Sequence, residues 1–246
     1  MANRSITFNA EPLLGQLNVL QKVQLPYAAN QALKQLGFQL RGELARYMGD
    51  VFENPVPFTL RSPRYEVDGL TLRVRISTDG AKGQDPARYL YPVSTDDGGG
   101  GKPAYITRFT RAVRSMGVVD SSYYAIPYLQ GRGVRVNAYG NMSPGQYQQV
   151  LAGLRAENGR TGGKRGASWR YFSVPDGRAA GAARGRGRQL KPGIYRAKTN
   201  ELQMLFGYAR KQPTVPGIFD FAGTVERKSG ELLPSLLSKA LADALR

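Results

Sequence analysis

The chain has 246 residues, a formal net charge of +17, and neither cysteine nor histidine. This removes thiolate nucleophiles, Ser-His-Asp triads, Cys/His zinc sites, haem ligation by histidine and any disulfide framework, and leaves carboxylate-held Mg²⁺ as the metal chemistry still open. So large a cationic excess favours a polyanion as partner (nucleic acid, an anionic membrane or an acidic protein surface), while 41% hydrophobic content is near the globular norm.

Ser5 to Phe8 alternates like a short strand, and residues 11–22 read as a short helix or an irregular arm. The opening MANRSITFNAEPLL has no long apolar run and does not read as a secretory signal. From Pro26 to Phe52, apolar residues recur three and four apart at Ala29, Leu33, Leu36, Leu40, Leu44, Tyr47, Met48 and Val51, which predicts one long amphipathic helix. The two prolines of ENPVPF end it. Alternation resumes at Tyr65 and Val67 and again from Leu70 to Ile76, and Asp68-Gly69 between the runs predicts a hairpin.

Tyr89 to Val93 is expected as a strand, followed by a four-glycine linker at 98–101. The helix expected over 106–117 places Ile106, Phe109, Val113 and Met116 on one side and Arg108, Arg111 and Arg114 on the other, with Gly117 closing it. Ser122 to Leu129 looks β-like, and Val134 and Val136 continue in that style. Ser143, Pro144 and Gln146 form the signature of a capped helix start, with a capping box and a helix to about Arg155. After the aromatic strand SWRYFSVP (168–175), GIYRA and ELQMLFGYA read as a hairpin turning near Thr199-Asn200. A Pro/Gly-punctuated crossing from Pro213 to Gly230 then leads to a terminal amphipathic helix over 231–245. No strict βαβ repetition occurs, so the fold class expected is α+β: an antiparallel sheet packed with a long N-terminal and a C-terminal helix. The chain reads as a single domain over 1–246 with a flexible Gly/Arg-rich insertion at 156–193. No segment approaches the roughly 20 apolar residues that span a bilayer, so no membrane partner is expected.

Signs of catalysis are sparse. GGGGK at 98–102 lacks the Walker hydroxyl, because Lys102 is followed by Pro103. The candidate acid pairs are Asp96 with Asp97, Asp50 with Glu53, and Asp220 with Glu226, and none has the spacing of a nuclease or glycosidase pair. The chain is therefore not expected to be an enzyme, and no cofactor or metal is expected. The basic insertion is the remaining functional feature: Arg160, Lys164, Arg165, Arg178, Arg184, Arg186, Arg188 and Lys191 are the candidate contacts to DNA or a partner. Glycine around them suits phosphate contact without base specificity; the alternative is a solvated loop whose charge only aids solubility.

One ordered set of segments resembles a known family. LPYAANQAL (25–33) followed by FENPVPFT (52–59) is similar to the opening of the bacteriophage minor tail protein Z-like family, with Val56 where a threonine is usual. YLYPVSTDDG, the 106–117 helix, YYAIPY, GNMSPGQYQQVLAGL with Gly140-Asn141 and Gly145-Gln146, GIYRA and the closing FDF segment resemble its later parts in the same order. The resemblance implies a structural virion protein of the neck or tail end, assembled in the host cytoplasm, which completes the tail and joins it to the head. The implied partners are the head–tail connector or adaptor and the tail terminator or tail tube proteins. Sixfold tail rings imply a hexameric homo-oligomer around a DNA channel, where the basic insertion would line the lumen or reach the DNA end, or alternatively dock on an acidic neighbouring ring. The alternative is a free, non-specific nucleic-acid-binding protein.

Overall fold

The computed structural model describes residues 5–9, 24–77, 85–96, 102–104, 106–158, 169–175, 190–198 and 201–244. In chain order its elements are β1 (Ser5–Asn9), α1 (Gln24–Val51), α2 (Pro57–Leu60), β2 (Pro63–Asp68), β3 (Thr71–Ile76), α3 (Pro86–Leu90) with a 3₁₀ turn at Tyr91–Val93, β4 (Lys102–Pro103), α4 (Arg108–Ser115), β5 (Tyr124–Pro127), α5 (Pro144–Asn158), β6 (Arg170–Val174), β7 (Gly193–Lys198), β8 (Glu201–Ala209), β9 (Thr214–Val215) and α6 (Phe221–Ala244). The class is α+β, with antiparallel pairing throughout the two larger sheets. The chain, read above as one domain, clusters into two compact units. A terminal unit combines Met1–Lys102 with Val215–Arg246, and an inserted unit spans Pro103–Thr214. Residues 11–22, the glycine linker at 98–101 and the Thr199-Asn200 turn lie outside the described residues.

In the terminal unit the leucine stripe of α1 does what its spacing predicts. Leu33, Leu36, Leu40, Leu44 and Met48 are fully buried, each contributing about 1.5–3 kcal/mol of apolar burial. They pack with Leu72 and Val74 of β3 and with Val225, Leu236 and Ala240 of α6. The sheet order is β1-β3-β2, so β3 is central. Asp68 pairs with Thr71, which makes Gly69-Leu70 the two-residue hairpin loop, one position later than the Asp-Gly reading. Gly69 sits at φ +57°, which a first loop position of this kind requires and glycine adopts without cost. Its carbonyl accepts a 2.7 Å hydrogen bond from Asn30 Nδ2 of α1.

Two expectations in this unit are corrected. Tyr89–Val93 is not a strand but the end of α3 and the 3₁₀ turn. Asp85 caps this helix by accepting from the Ala87 N–H at 3.1 Å, and Pro86 stands in its first turn; these local start signals outweigh the strand-like alternation of YLYPV. The run expected as a Pro/Gly crossing is helical from Phe221 onward, and α6 continues through Pro234 to Ala244. Asp220 starts it, its Oδ1 accepting from the Gly223 N–H at 3.0 Å and its backbone carbonyl from Thr224 N–H at 3.3 Å.

The inserted unit packs a four-stranded sheet, β5-β8-β7-β6, with α4 and α5 on one face. Ile194 pairs with Phe206 but Tyr195 pairs with Met204, so Leu205 is an extra residue in β8. This bulge lets both Leu205 and Phe206, each fully buried, enter the same core. Phe206 stacks on Phe109 of α4 at 4.1 Å between ring centroids, and Tyr147 of α5 meets Phe109 edge-on at 5.3 Å. Gly153 allows α5 to approach β6 closely, since any Cβ there would overlap the Tyr171 ring.

The predicted helix start at Ser143 is present, with one correction. Ser143 Oγ accepts from the Gln146 N–H at 3.4 Å, but Gln146 does not close the capping box. Its side chain is buried and bridges the preceding loop, accepting from the Arg135 N–H at 2.7 Å and donating to the Gly133 carbonyl. The Ser143 N–H donates instead to the Arg135 carbonyl. Val134 and Val136 do not extend a strand; Val136 makes only an isolated bridge with Met142.

Tyr208 shares a 2.8 Å hydrogen bond with Ser173, and burial pushes its phenol up to about 12 while that bond pulls the other way. A folded-state pKa above the unfolded value near 10 means that the stability linked to this proton is complete below pH 10 and is lost as pH rises through 12. The two-unit difference corresponds to about 3 kcal/mol. Urea unfolding followed from pH 8 to pH 12 should show this fall. Tyr208→Phe should remove that component of the pH dependence while costing about 1 kcal/mol for the lost hydrogen bond.

Candidate nucleic-acid interface

The charge is divided unequally between the two units. Pro103–Thr214 carries 19 Lys and Arg against 4 Asp and Glu, whereas the terminal unit carries 16 against 14. Nearly the whole positive excess therefore belongs to the inserted unit. Of the eight candidate contact residues, the structure describes Lys191 alone; Arg160, Lys164, Arg165, Arg178, Arg184, Arg186 and Arg188 lie outside the described residues. Lys191 is exposed, and its carbonyl accepts the Tyr195 hydroxyl at 2.7 Å where the chain enters β7. Burial raises the Tyr195 pKa and this bond opposes the rise.

The described cations of the inserted unit extend well beyond that insertion. Arg132, Arg135, Arg155, Lys191, Lys198 and Lys211 are exposed, and none makes an ion pair among the described residues. Ion pairs in the terminal unit include Arg46–Glu43 at 2.6 Å and Lys228–Glu231 at 2.7 Å. In the inserted unit several guanidiniums lie over aromatic rings: Arg114 over Tyr124 at 4.5 Å, Arg170 over Phe172 at 5.3 Å, Arg196 over Trp169 at 4.2 Å and Arg210 over Tyr123 at 5.5 Å. A ring contact of this kind holds a guanidinium without neutralising its charge. Sequence reasoning missed Arg196 and Lys198 because GIYRAK reads as an ordinary strand. The signal was the alternation that puts both cations on one face, two and four residues after Ile194.

The candidate acids take structural roles where they are described. Asp96 Oδ1 accepts from the Ala222 N–H at 3.0 Å and Oδ2 from Ser94 Oγ at 3.0 Å. Asp220 caps α6 and pairs with Arg227 at 3.0 Å. Both carboxylates thus meet the positive end of the α6 dipole. Asp97 lies outside the described residues, and Asp50 and Glu53 are exposed at the end of α1. Among the described residues no group of three or more Asp and Glu stands where it could hold a metal ion, and no helix is long and apolar enough to cross a membrane. An open cleft of about 510 Å³ in the inserted unit is lined by Val118, Val119, Asp120, Ser122, Tyr123 and Arg210. Asp120 is held below the usual carboxylate range, first by the Ser122 N–H bonded to it at 2.7 Å, and it is the one carboxylate among the described residues of that lining.

Three segments that carry the family resemblance meet in the terminal unit. Thr59 Oγ1 and the Tyr89 hydroxyl are 2.8 Å apart, which joins FENPVPFT to YLYPVSTDDG. The Val93 carbonyl accepts from the Ile218 and Phe219 N–H groups at 2.8 and 2.9 Å, and Phe52 packs on Phe219 at 5.5 Å. Compared with family models, curated proteins and solved structures, the chain matches none.

Proposed function

We propose that the chain is a structural virion protein of a bacteriophage neck or tail end, which completes the tail, joins it to the head connector, and turns its inserted unit toward DNA. The observation that carries this reading is the division of charge, 19 cations against 4 acids within Pro103–Thr214. A unit so poor in carboxylates favours an external polyanion as partner, and in a tail channel that polyanion is DNA. The ordered family-like segments support the virion setting, and the contacts of 52–59, 89–96 and 218–219 support reading them as one folding unit rather than scattered coincidences. Head connector and tail terminator or tube proteins are the partners that follow, with a hexameric ring as the assembly.

Mass spectrometry of density-banded phage particles tests this reading. The chain should copurify with the particles at a few copies each. Its absence from particles, combined with retained DNA binding by the purified chain, would replace the virion reading with that of a free, non-specific nucleic-acid-binding protein.

A further inference from the structure

Arg196 joins a ring contact to a hydrogen bond at Nε, as Arg114 and Arg210 also do among the described cations of the inserted unit. Its guanidinium lies 4.2 Å from the centroid of Trp169, the single tryptophan of the chain, and its Nε donates to Gln203 Oε1 at 2.8 Å. Gln203 is itself oriented by donating from Nε2 to Glu201 Oε2 at 3.2 Å. The guanidinium is thus held by the Trp169 ring and by an amide at Nε. The two terminal nitrogens make no hydrogen bond to a described residue. Lys198 follows two residues later on the same face of β7, and the register beyond Arg170↔Ala197 brings it level with Trp169. Glu201 is its partner in the register with β8 and is the carboxylate of this neighbourhood.

We propose that Arg196, seated on Trp169 and flanked by Lys198, is a phosphate seat for the nucleic-acid backbone. The proposal rests on reading Pro103–Thr214 as the DNA-facing unit. A guanidinium used at Nε and stacked on a ring presents its terminal fork, the geometry that binds a phosphate through two parallel hydrogen bonds. Its rotamer freedom is already lost before binding, so less ordering cost remains. Arg196 and Trp169 are half-buried and Lys198 is exposed, and the same unit carries further exposed cations at Arg132, Arg135, Arg155, Lys191 and Lys211. A spread of this kind matches a repeating backbone charge better than a single enclosed anion. The seat contacts no base in this account, so it carries no sequence preference.

The test uses the full chain and a fluorescein-labelled random-sequence duplex, with anisotropy for binding and Trp169 emission for the seat. Duplex should quench Trp169. Arg196→Ala should weaken binding by about tenfold or more, as expected for loss of a charge-assisted hydrogen bond, and should flatten the log–log salt slope by about 0.9. Arg196→Lys keeps the charge and loses the fork, so it should weaken binding while keeping the slope. Lys211→Ala, an exposed cation without a ring, should cost clearly less affinity. Circular dichroism confirms that each variant is folded. If Arg196→Ala and Lys211→Ala behave alike and Trp169 emission does not move, the seat is overturned while general DNA contact by the unit stands. If the unaltered chain does not bind duplex, both fail. If poly-glutamate binds as tightly as duplex and quenches Trp169 equally, the seat belongs to an acidic protein surface and the nucleic-acid assignment is overturned.

Discussion

Phe206→Ala should cost the inserted unit about 3–5 kcal/mol, the range for removing a fully buried aromatic ring. Phe206 has no exposed surface, stacks on Phe109 at 4.1 Å and contacts Tyr147 at 5.7 Å. It lies on β8, which is paired on both sides, to β5 and to β7, so the site has little room to collapse. The loss comprises the transfer free energy of the ring, its aromatic contacts and the cavity left between α4 and the sheet. Because the chain forms two units, the effect is best read by amide hydrogen exchange rather than by a single melting temperature. Protection should fall across β5, β7, β8 and α4 and persist in the leucine stripe of α1. Unchanged exchange in β8 would contradict the packing described.

Replacing Arg132, Arg135, Arg155, Lys191, Lys198 and Lys211 together by glutamine should weaken duplex binding by orders of magnitude at 150 mM salt. Binding through 6 to 10 phosphate contacts loses about 10³–10⁵ in affinity on moving from 50 to 200 mM salt, which shows how much of such affinity is electrostatic. The same changes should alter stability by little, because these side chains are exposed and make no ion pair among the described residues. Anisotropy for binding and urea unfolding for stability separate the two effects. Retained affinity in the sixfold variant would mean that the described cations lie off the DNA path.

The sequence was most legible where local pattern and tertiary packing agree. The leucine spacing of α1, the alternation of β2 and β3, and the Ser-Pro start of α5 each state their structure within a dozen residues, and each is present. It was least legible where a local signal competed with a distant one. YLYPV alternates like a strand, yet Asp85 and Pro86 begin a helix just before it. Gly223 and Gly230 made the run before residue 231 look like a loop, yet the Asp220 cap starts α6 at Phe221, and its packing against α1 lies nearly 200 residues from α1 in sequence. Gln146 fits a capping box by spacing, but its amide meets the needs of Gly133 and Arg135 instead.

The candidate site was legible as composition and not as geometry. The excess of arginine was plain, but its confinement to one unit depends on where the chain leaves and rejoins the terminal unit, near Lys102 and Val215. The four glycines before Lys102 and the Pro/Gly run from Pro213 stand at those crossings, but they read as loops within one domain and not as boundaries. The Trp169–Arg196 stack joins residues 27 apart across two strands, and only the register of β6 with β7 brings them together.

Electron microscopy of lysates from a phage carrying an early stop codon in this gene tests the central claim most directly. The account predicts DNA-filled heads and full-length tails lying apart, with joining restored when the chain is supplied in trans. Joined, infectious particles made without the chain would contradict it.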